Sequence, residues 1–148
     1  MDIKERKILV SLISSILILS IYTIYVYQNS VIKNPEILND FSFWGKSFLI
    51  LIPVSITAQI VIQILFAIFN AITHPKEKES VTDERDKLIE LKAIKIAHYI
   101  FITGFMLAMG VVAFGLQPWL MFVALIVSGF IAAIANDFAR LYFYKKGV

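Results

Sequence analysis

Four polar residues at the ends of two apolar segments are of the types needed for proton or ion chemistry. Asn136, Asp137 and Arg140 lie within two helical turns of one another, and His98 lies at a similar depth in the preceding apolar segment. Histidine titrates near neutral pH, and a nearby carboxylate is a ligand for a proton or a cation. One interpretation is a proton-responsive or ion-binding cluster. The simpler one, which we favour, is a polar contact that anchors two neighbouring helices.

Two glutamines in another apolar segment form a second candidate site. Gln59 and Gln63 are four residues apart, and Ser55 and Asn70 extend the same stripe. Amide side chains in apolar surroundings form hydrogen bonds between helices, each worth ~0.6–2 kcal/mol. We favour this structural role, and a polar path for a substrate is the alternative.

The residues needed for most catalytic and cofactor chemistry are missing from the sequence. Cysteine is absent, which excludes disulfides, thiolate metal sites and cysteine nucleophiles. Of the two histidines, His74 lies beside Pro75 at the edge of an apolar segment, which does not suit paired haem ligation with His98. The sequence contains no H-E-x-x-H motif, phosphate-binding glycine-rich loop or nucleophile elbow. We therefore expect no catalytic residues, metal ion, cofactor or direct nucleic-acid binding.

A strongly charged segment separates two of the apolar segments. Seven of the ten residues from Asp83 to Lys92 are charged. Acidic residues at its start suit the positive end of a helix dipole, and Ser80 or Thr82 is expected to cap the helix. Without glycine or proline in residues 83–103, one helix should continue into the next apolar segment. Two interpretations fit, a solvated anchor at the membrane surface or a docking surface for a partner. The residues assigned to docking are Asp83, Glu84, Arg85, Asp86 and Lys92.

The elements that must position these residues are four apolar segments. The chain of 148 residues has a mean hydropathy of +0.78 and 17% charged residues, below the roughly 25% of soluble proteins. We interpret the first segment as a retained span, because it is longer than the ~7–15 apolar residues of a signal peptide. The prediction is one all-α domain, residues 1–148, folded as an integral membrane four-helix bundle in the lipid bilayer. The spans are expected at about residues 8–27, 47–72, 94–116 and 118–138, with a helical extension at 82–93.

The basic residues predict the orientation of these spans. Twelve of the fourteen Lys and Arg residues lie near the two ends of the chain or between the second and third spans. Only Lys33 and Lys46 lie in the first loop. By the positive-inside rule, both termini and the extension of the third helix face the cytoplasm. The predicted location is the plasma membrane.

The run TDERDKLIELKA, residues 82–93, resembles the hallmark of a family of small prokaryotic four-span membrane proteins of unknown function. The resemblance implies a multi-pass membrane protein without a defined activity, and a cytosolic regulatory protein as a conceivable partner. The residues that carry the match are Asp83, Glu84, Arg85, Ile89, Lys92 and Ala93.

Two functional hypotheses follow from these patterns. The first is a non-catalytic regulatory, sensory or scaffold subunit that docks a partner through the charged helix. The second is a small oligomeric transporter or channel that uses the polar stripe at Gln59 and Gln63. Small residues four apart, such as Gly104 with Ala108, favour close helix packing within the bundle or between copies of a homo-oligomer.

Overall fold

Four long helices account for most of the molecule. The computed structural model describes residues 3–74 and 83–147. In this part of the chain, four helices are each long and apolar enough to cross a membrane, which confirms the prediction of four apolar helices. They contain 24 to 33 residues, so at ~1.5 Å per residue they extend past the ~30 Å hydrocarbon core of a bilayer. The helices are α1 (Ile3–Val26), α2 (Phe41–Thr73), α3 (Glu84–Ala113) and α4 (Trp119–Lys146).

The helices are arranged in the order α2, α1, α4, α3 across the bundle. α1 packs against both α2 and α4, and α3 packs along α4. The starts of α1 and α3 and the ends of α2 and α4 meet at one end of the bundle, called here the inner end. The opposite outer end carries residues 27–40 and the turn at residues 114–118. The candidate site residues are therefore presented mainly at the inner end and in the inner half of the bundle.

α3 and α4 form a tight hairpin. α3 ends in a left-handed glycine, Gly115 at φ 68°, whose N–H donates to the carbonyl oxygen of Val112 while the N–H of Leu116 donates to that of Val111. This pair of hydrogen bonds is a Schellman motif, which satisfies carbonyl groups at a helix end. Pro118 then leads directly into α4.

α2 begins before the predicted second span. The helix begins at Phe41, six residues before the predicted start of the span at residue 47, because the Asp40 carboxylate caps it by accepting a hydrogen bond from the Ser42 N–H at 2.8 Å. Trp44 is therefore a helical residue, and its ring stacks on Phe122 of α4 with 5.4 Å between the centroids. This aromatic contact joins α2 to α4 at the outer end.

α3 runs without interruption from the charged segment through the third apolar segment, as predicted. Its N-cap is Asp83. A capping box joins Asp83 and Asp86, because Asp83 has extended backbone geometry and a side chain that accepts from the third helical N–H. Ser80 and Thr82 lie outside the described residues.

Candidate functional site

Asp86 is the centre of a charged cluster at the inner end. Its carboxylate accepts a hydrogen bond from the Asp83 N–H at 3.0 Å, and its own N–H donates to the Asp83 carboxylate at 2.8 Å. This capping box fixes the direction of the Asp86 side chain, which is only 9% exposed. The box therefore turns a charged residue of a hydrophilic segment towards the interior of the bundle.

Residues from α1 and α4 complete the cluster. The Lys4 ammonium forms an ion pair with the Asp86 carboxylate, and the Tyr144 hydroxyl donates to it at 2.7 Å. Burial alone raises the pKa of Asp86, but the hydrogen bonds from Lys4, Tyr144 and the Asp83 backbone outweigh it and lower that pKa to about 2. Burial and the hydrogen bond to Asp86 raise the pKa of Tyr144 to about 12. At neutral pH the cluster thus holds a carboxylate between an ammonium and a neutral hydroxyl.

The flanks of the charged segment also contact α4. The Arg85 guanidinium donates to the backbone carbonyl of Tyr144 at 3.3 Å, and the Lys92 ammonium lies 5.6 Å from the centroid of the Phe143 ring. Lys92 is in range for a cation–π interaction. Arg85, Asp86 and Lys92, three of the five residues assigned to docking, thus contact the bundle itself.

The opposite face of the same helix is exposed. Glu84, Lys87, Leu88, Leu91 and Lys95 recur at helical spacing and have no neighbouring helix over them among the described residues. Leu88 is 56% exposed and Leu91 is 63% exposed. These five residues, called here the outward stripe, combine two leucines with charges of both signs.

Gln59 links α2 to α1 inside the bundle. Its amide nitrogen donates to the Ser15 hydroxyl at 2.6 Å and to the Ser11 carbonyl oxygen at 3.3 Å, and its carbonyl oxygen accepts from the Ser14 hydroxyl at 3.1 Å. Both polar atoms of this amide are thus hydrogen-bonded to α1. Gln59 therefore links α2 to α1, which is the structural role that we favour for the polar stripe.

The polar stripe of α2 and part of the predicted cluster on α4 border the same cleft. The inner cleft, about 770 Å³ in volume, lies between α1, α2 and α4, and its lining includes Gln59 and Gln63 of α2 with Asn136 and Asp137 of α4. A smaller charged cavity of about 250 Å³ lies beside it and is bordered by Asp86, Glu90 and Arg140. The two spaces share lining residues, and these are Lys7, Ser11 and Gln63.

The predicted cluster of His98, Asn136 and Asp137 is divided between two sides of α4. Asp137 is 8% exposed and interacts with Ser11 of α1 and with the charge of Arg140. His98 is exposed and lines a separate groove between α3 and α4 together with Asn136. Asn136 borders both spaces, but the structure does not bring His98 to Asp137, so the expectation that all three meet is wrong.

Three polar atoms along these spaces are buried without a hydrogen bond. They are Gln63 Oε1, Asn136 Oδ1 and Arg140 Nε, which have no partner among the described residues. Within the described part of the chain, no group of three or more His, Cys, Asp or Glu residues is placed to hold a metal ion. The chemistry that the inner cleft offers is hydrogen bonding and charge pairing.

Some members of the site were not evident from the sequence. The sequence pattern uses Lys4 and Lys7 only as orientation signals, and it gives Tyr144 no role. Comparisons with protein-family models, with curated proteins and with solved structures gave no match.

Proposed function

We propose that this chain is a non-catalytic multi-pass membrane protein that acts as a regulatory, sensory or scaffold subunit and docks a cytosolic partner through the start of α3. In this proposal both termini and the start of α3 face the cytoplasm. The observation that carries it is the two-sided character of this helix. One side is fixed to the bundle through Asp86, and the other presents the outward stripe.

The Asp86 cluster supports a signalling role because it connects three helices at the base of the docking helix. A partner that moves the start of α3 acts on α1 through Lys4 and on α4 through Tyr144. When a packed interface has two alternative arrangements, a small local shift is amplified into a rigid-body movement of the helices. Asp86 then transmits the effect of docking, while the partner contacts Glu84, Lys87, Leu88 and Leu91.

The inner cleft supports the second hypothesis, a small oligomeric transporter or channel. In the described part of one copy, however, its polar lining ends at Gln59 and Ser15. Towards the outer end, the cavity between the same helices is lined almost wholly by apolar and aromatic side chains such as Trp44, Leu51 and Val123. An ion would lose its hydrogen-bonding partners there. We therefore place transport second.

Photo-crosslinking tests the docking proposal. A photoreactive amino acid replaces Leu88 on the outward stripe, and in a matched control it replaces Leu107, which is 67% exposed in the outer part of α3. We expect a specific cytosolic protein to crosslink at position 88 and not at position 107. The double reversal Glu84→Lys with Lys87→Glu should abolish that product, because it exchanges the charges of the stripe without changing the net charge.

A second reversal controls for nonspecific charge effects. Lys33→Glu with Glu36→Lys makes the same exchange at the outer end, where both residues are exposed, and should leave the crosslink intact. Crosslinks at position 88 only to lipid or to other copies of this chain, unchanged by the first reversal, would refute docking through the outward stripe.

A further inference from the structure

Two hydrogen-bond acceptors in the inner cleft lack donors among the described residues. Gln59 lies at the deep end of the cleft and is hydrogen-bonded to α1. One turn closer to the inner end, Gln63 Oε1 and Asn136 Oδ1 are buried and have no hydrogen-bond partner among the described residues. An unpaired buried acceptor is destabilising, so a bound donor at this level would be favourable.

A carboxylate accompanies these two carbonyl oxygens. Asp137 follows Asn136 in α4 and lines the same cleft. Two amide carbonyl oxygens and one carboxylate suit a primary ammonium group, which carries three N–H donors and a positive charge. A quaternary ammonium group has no N–H and cannot satisfy them.

A cationic region lies on the inner side of these acceptors. Arg140 is four residues after Asn136, about 6 Å along the helix at ~1.5 Å per residue. Its Nε is buried without a hydrogen-bond partner among the described residues. An anionic group bound here would accept from that N–H. The spacing therefore favours a ligand with an amine and an anionic group a short chain apart.

The formal charge of the combined lining is balanced. The inner cleft and the charged cavity together present three cations and three carboxylates, so a ligand with zero net charge leaves the balance unchanged. The cations are Lys4, Lys7 and Arg140, and the carboxylates are Asp86, Glu90 and Asp137. Such a lining suits a zwitterion better than a simple cation or anion.

The order of the acceptors and the cationic region along the cleft favours entry of a ligand from the inner end. The charged cavity lies beside the starts of α1 and α3 and shares lining residues with the inner cleft. A ligand entering there places its amine deepest, at Gln63 and Asn136, and leaves its anionic group near Arg140. A membrane phospholipid has the reverse order, with its phosphate deeper than its amine.

We propose that the inner cleft binds a small soluble zwitterion with a primary amine and a carboxylate or phosphate, and that this molecule is the signal of the sensory subunit. The inference rests on the sensory form of the proposed function. The amine donates to Gln63, Asn136 and Asp137, and the anionic group accepts from Arg140.

Thermal unfolding of the purified full chain in detergent tests this proposal. The probes are glycine, β-alanine, γ-aminobutyrate and phosphoethanolamine, each compared with its N-trimethyl counterpart. We expect at least one primary amine to raise the unfolding midpoint by a few °C in a saturable manner, with no rise for its trimethyl counterpart. No saturable rise with any amine, or equal rises for both forms, would overturn the proposal.

Variants locate the binding site. Gln63→Leu and Asn136→Leu should each weaken binding of the active probe by roughly tenfold, the equivalent of one lost hydrogen bond to a charged group. Gln28→Leu at the outer end makes the same substitution on an exposed residue and should leave the affinity unchanged. Unchanged affinity in both cleft variants would place the binding elsewhere and refute the assignment.

Two further readouts separate this inference from its alternatives. Phosphatidylethanolamine carries the same amine and phosphate, and stabilisation by this lipid alone would overturn the assignment to a soluble ligand. Crosslinking at position 88 is repeated with the cleft variants. If no zwitterion binds but position 88 still crosslinks to the partner, the ligand proposal is refuted and the docking function stands. If position 88 gives no crosslink to a partner in the chain with an unaltered cleft, docking itself is refuted.

Discussion

Lys4 and Asp86 are 82 residues apart in the sequence and form an ion pair at the inner end of the bundle. The contact joins the first turns of α1 and α3, and Tyr144 of α4 donates to the same carboxylate. It also relieves the repulsion expected between Asp86 and Glu90 on one helix face, because the Asp86 charge is paired. The charged segment looks fully solvated in the sequence, but part of it thus forms a contact that holds three helices together.

Asp86→Asn should lower the free energy of unfolding by about 1–3 kcal/mol at neutral pH, because it removes the partner of a largely buried ammonium. The folded-state pKa of about 2 is below the ordinary value of about 3.9. Asp86 therefore stabilises the fold fully above about pH 4, and this contribution is lost as the pH falls towards 2. Unfolding in detergent between pH 7 and pH 3 measures both effects.

The asparagine variant should have a flatter pH dependence than wild type over that interval. Lys4→Met provides the reciprocal test, and in a double-mutant cycle it should show coupling with Asp86→Asn. Additive effects of the two substitutions would contradict the ion pair.

Gly104→Ala should destabilise the bundle by about 1–3 kcal/mol through overpacking. A Cβ atom on Gly104 would overlap with the Ser128 side chain, far inside van der Waals contact distance, so α3 and α4 would have to separate. Gly129→Ala is the matched control, since nothing lies within 4 Å of a Cβ atom there. The measurement is the unfolding midpoint of each variant, which should be lower for Gly104→Ala. Equal midpoints would exclude close packing at Gly104.

Gln59→Leu and Gln63→Leu should have different effects on stability although they are one helical turn apart. Gln59→Leu breaks the hydrogen bonds to Ser14 and Ser15 and should cost ~0.6–2 kcal/mol. Gln63→Leu removes a buried oxygen without a partner among the described residues and should be neutral or stabilising. Detergent unfolding of both variants measures the difference, and a greater loss for Gln63→Leu would contradict the assignment of the bridging role to Gln59.

Single cysteines test the proposed orientation, because the natural chain contains none. A membrane-impermeant thiol reagent applied to intact cells should label Asn34→Cys at the outer end. Lys145→Cys, near the end of α4, should be labelled only after the cells are opened. The opposite pattern would invert the topology, and equal labelling of both in intact cells would exclude a fixed orientation.

The presence of four long apolar helices could be predicted from the sequence, since it depends on neighbouring residues. Apolar runs of sufficient length indicate each helix. The extension of α2 ahead of the predicted span was not evident, because the Asp40 cap and the burial of Trp44 make a helix of a segment that looks like a polar loop. The bridging role of Gln59 was predictable for a similar reason, since an amide in an apolar helix needs a partner.

The tertiary structure alone decided which side chains meet. The rotation of each helix about its axis and its choice of neighbour depend on packing between distant segments, and no local pattern records them. Packing brought Gln63 and Asn136 to one cleft, turned Asp137 away from His98, and placed Lys4 on Asp86. The polar residues were therefore visible in the sequence, but their assembly into a cluster and a cleft depended on the arrangement of the helices.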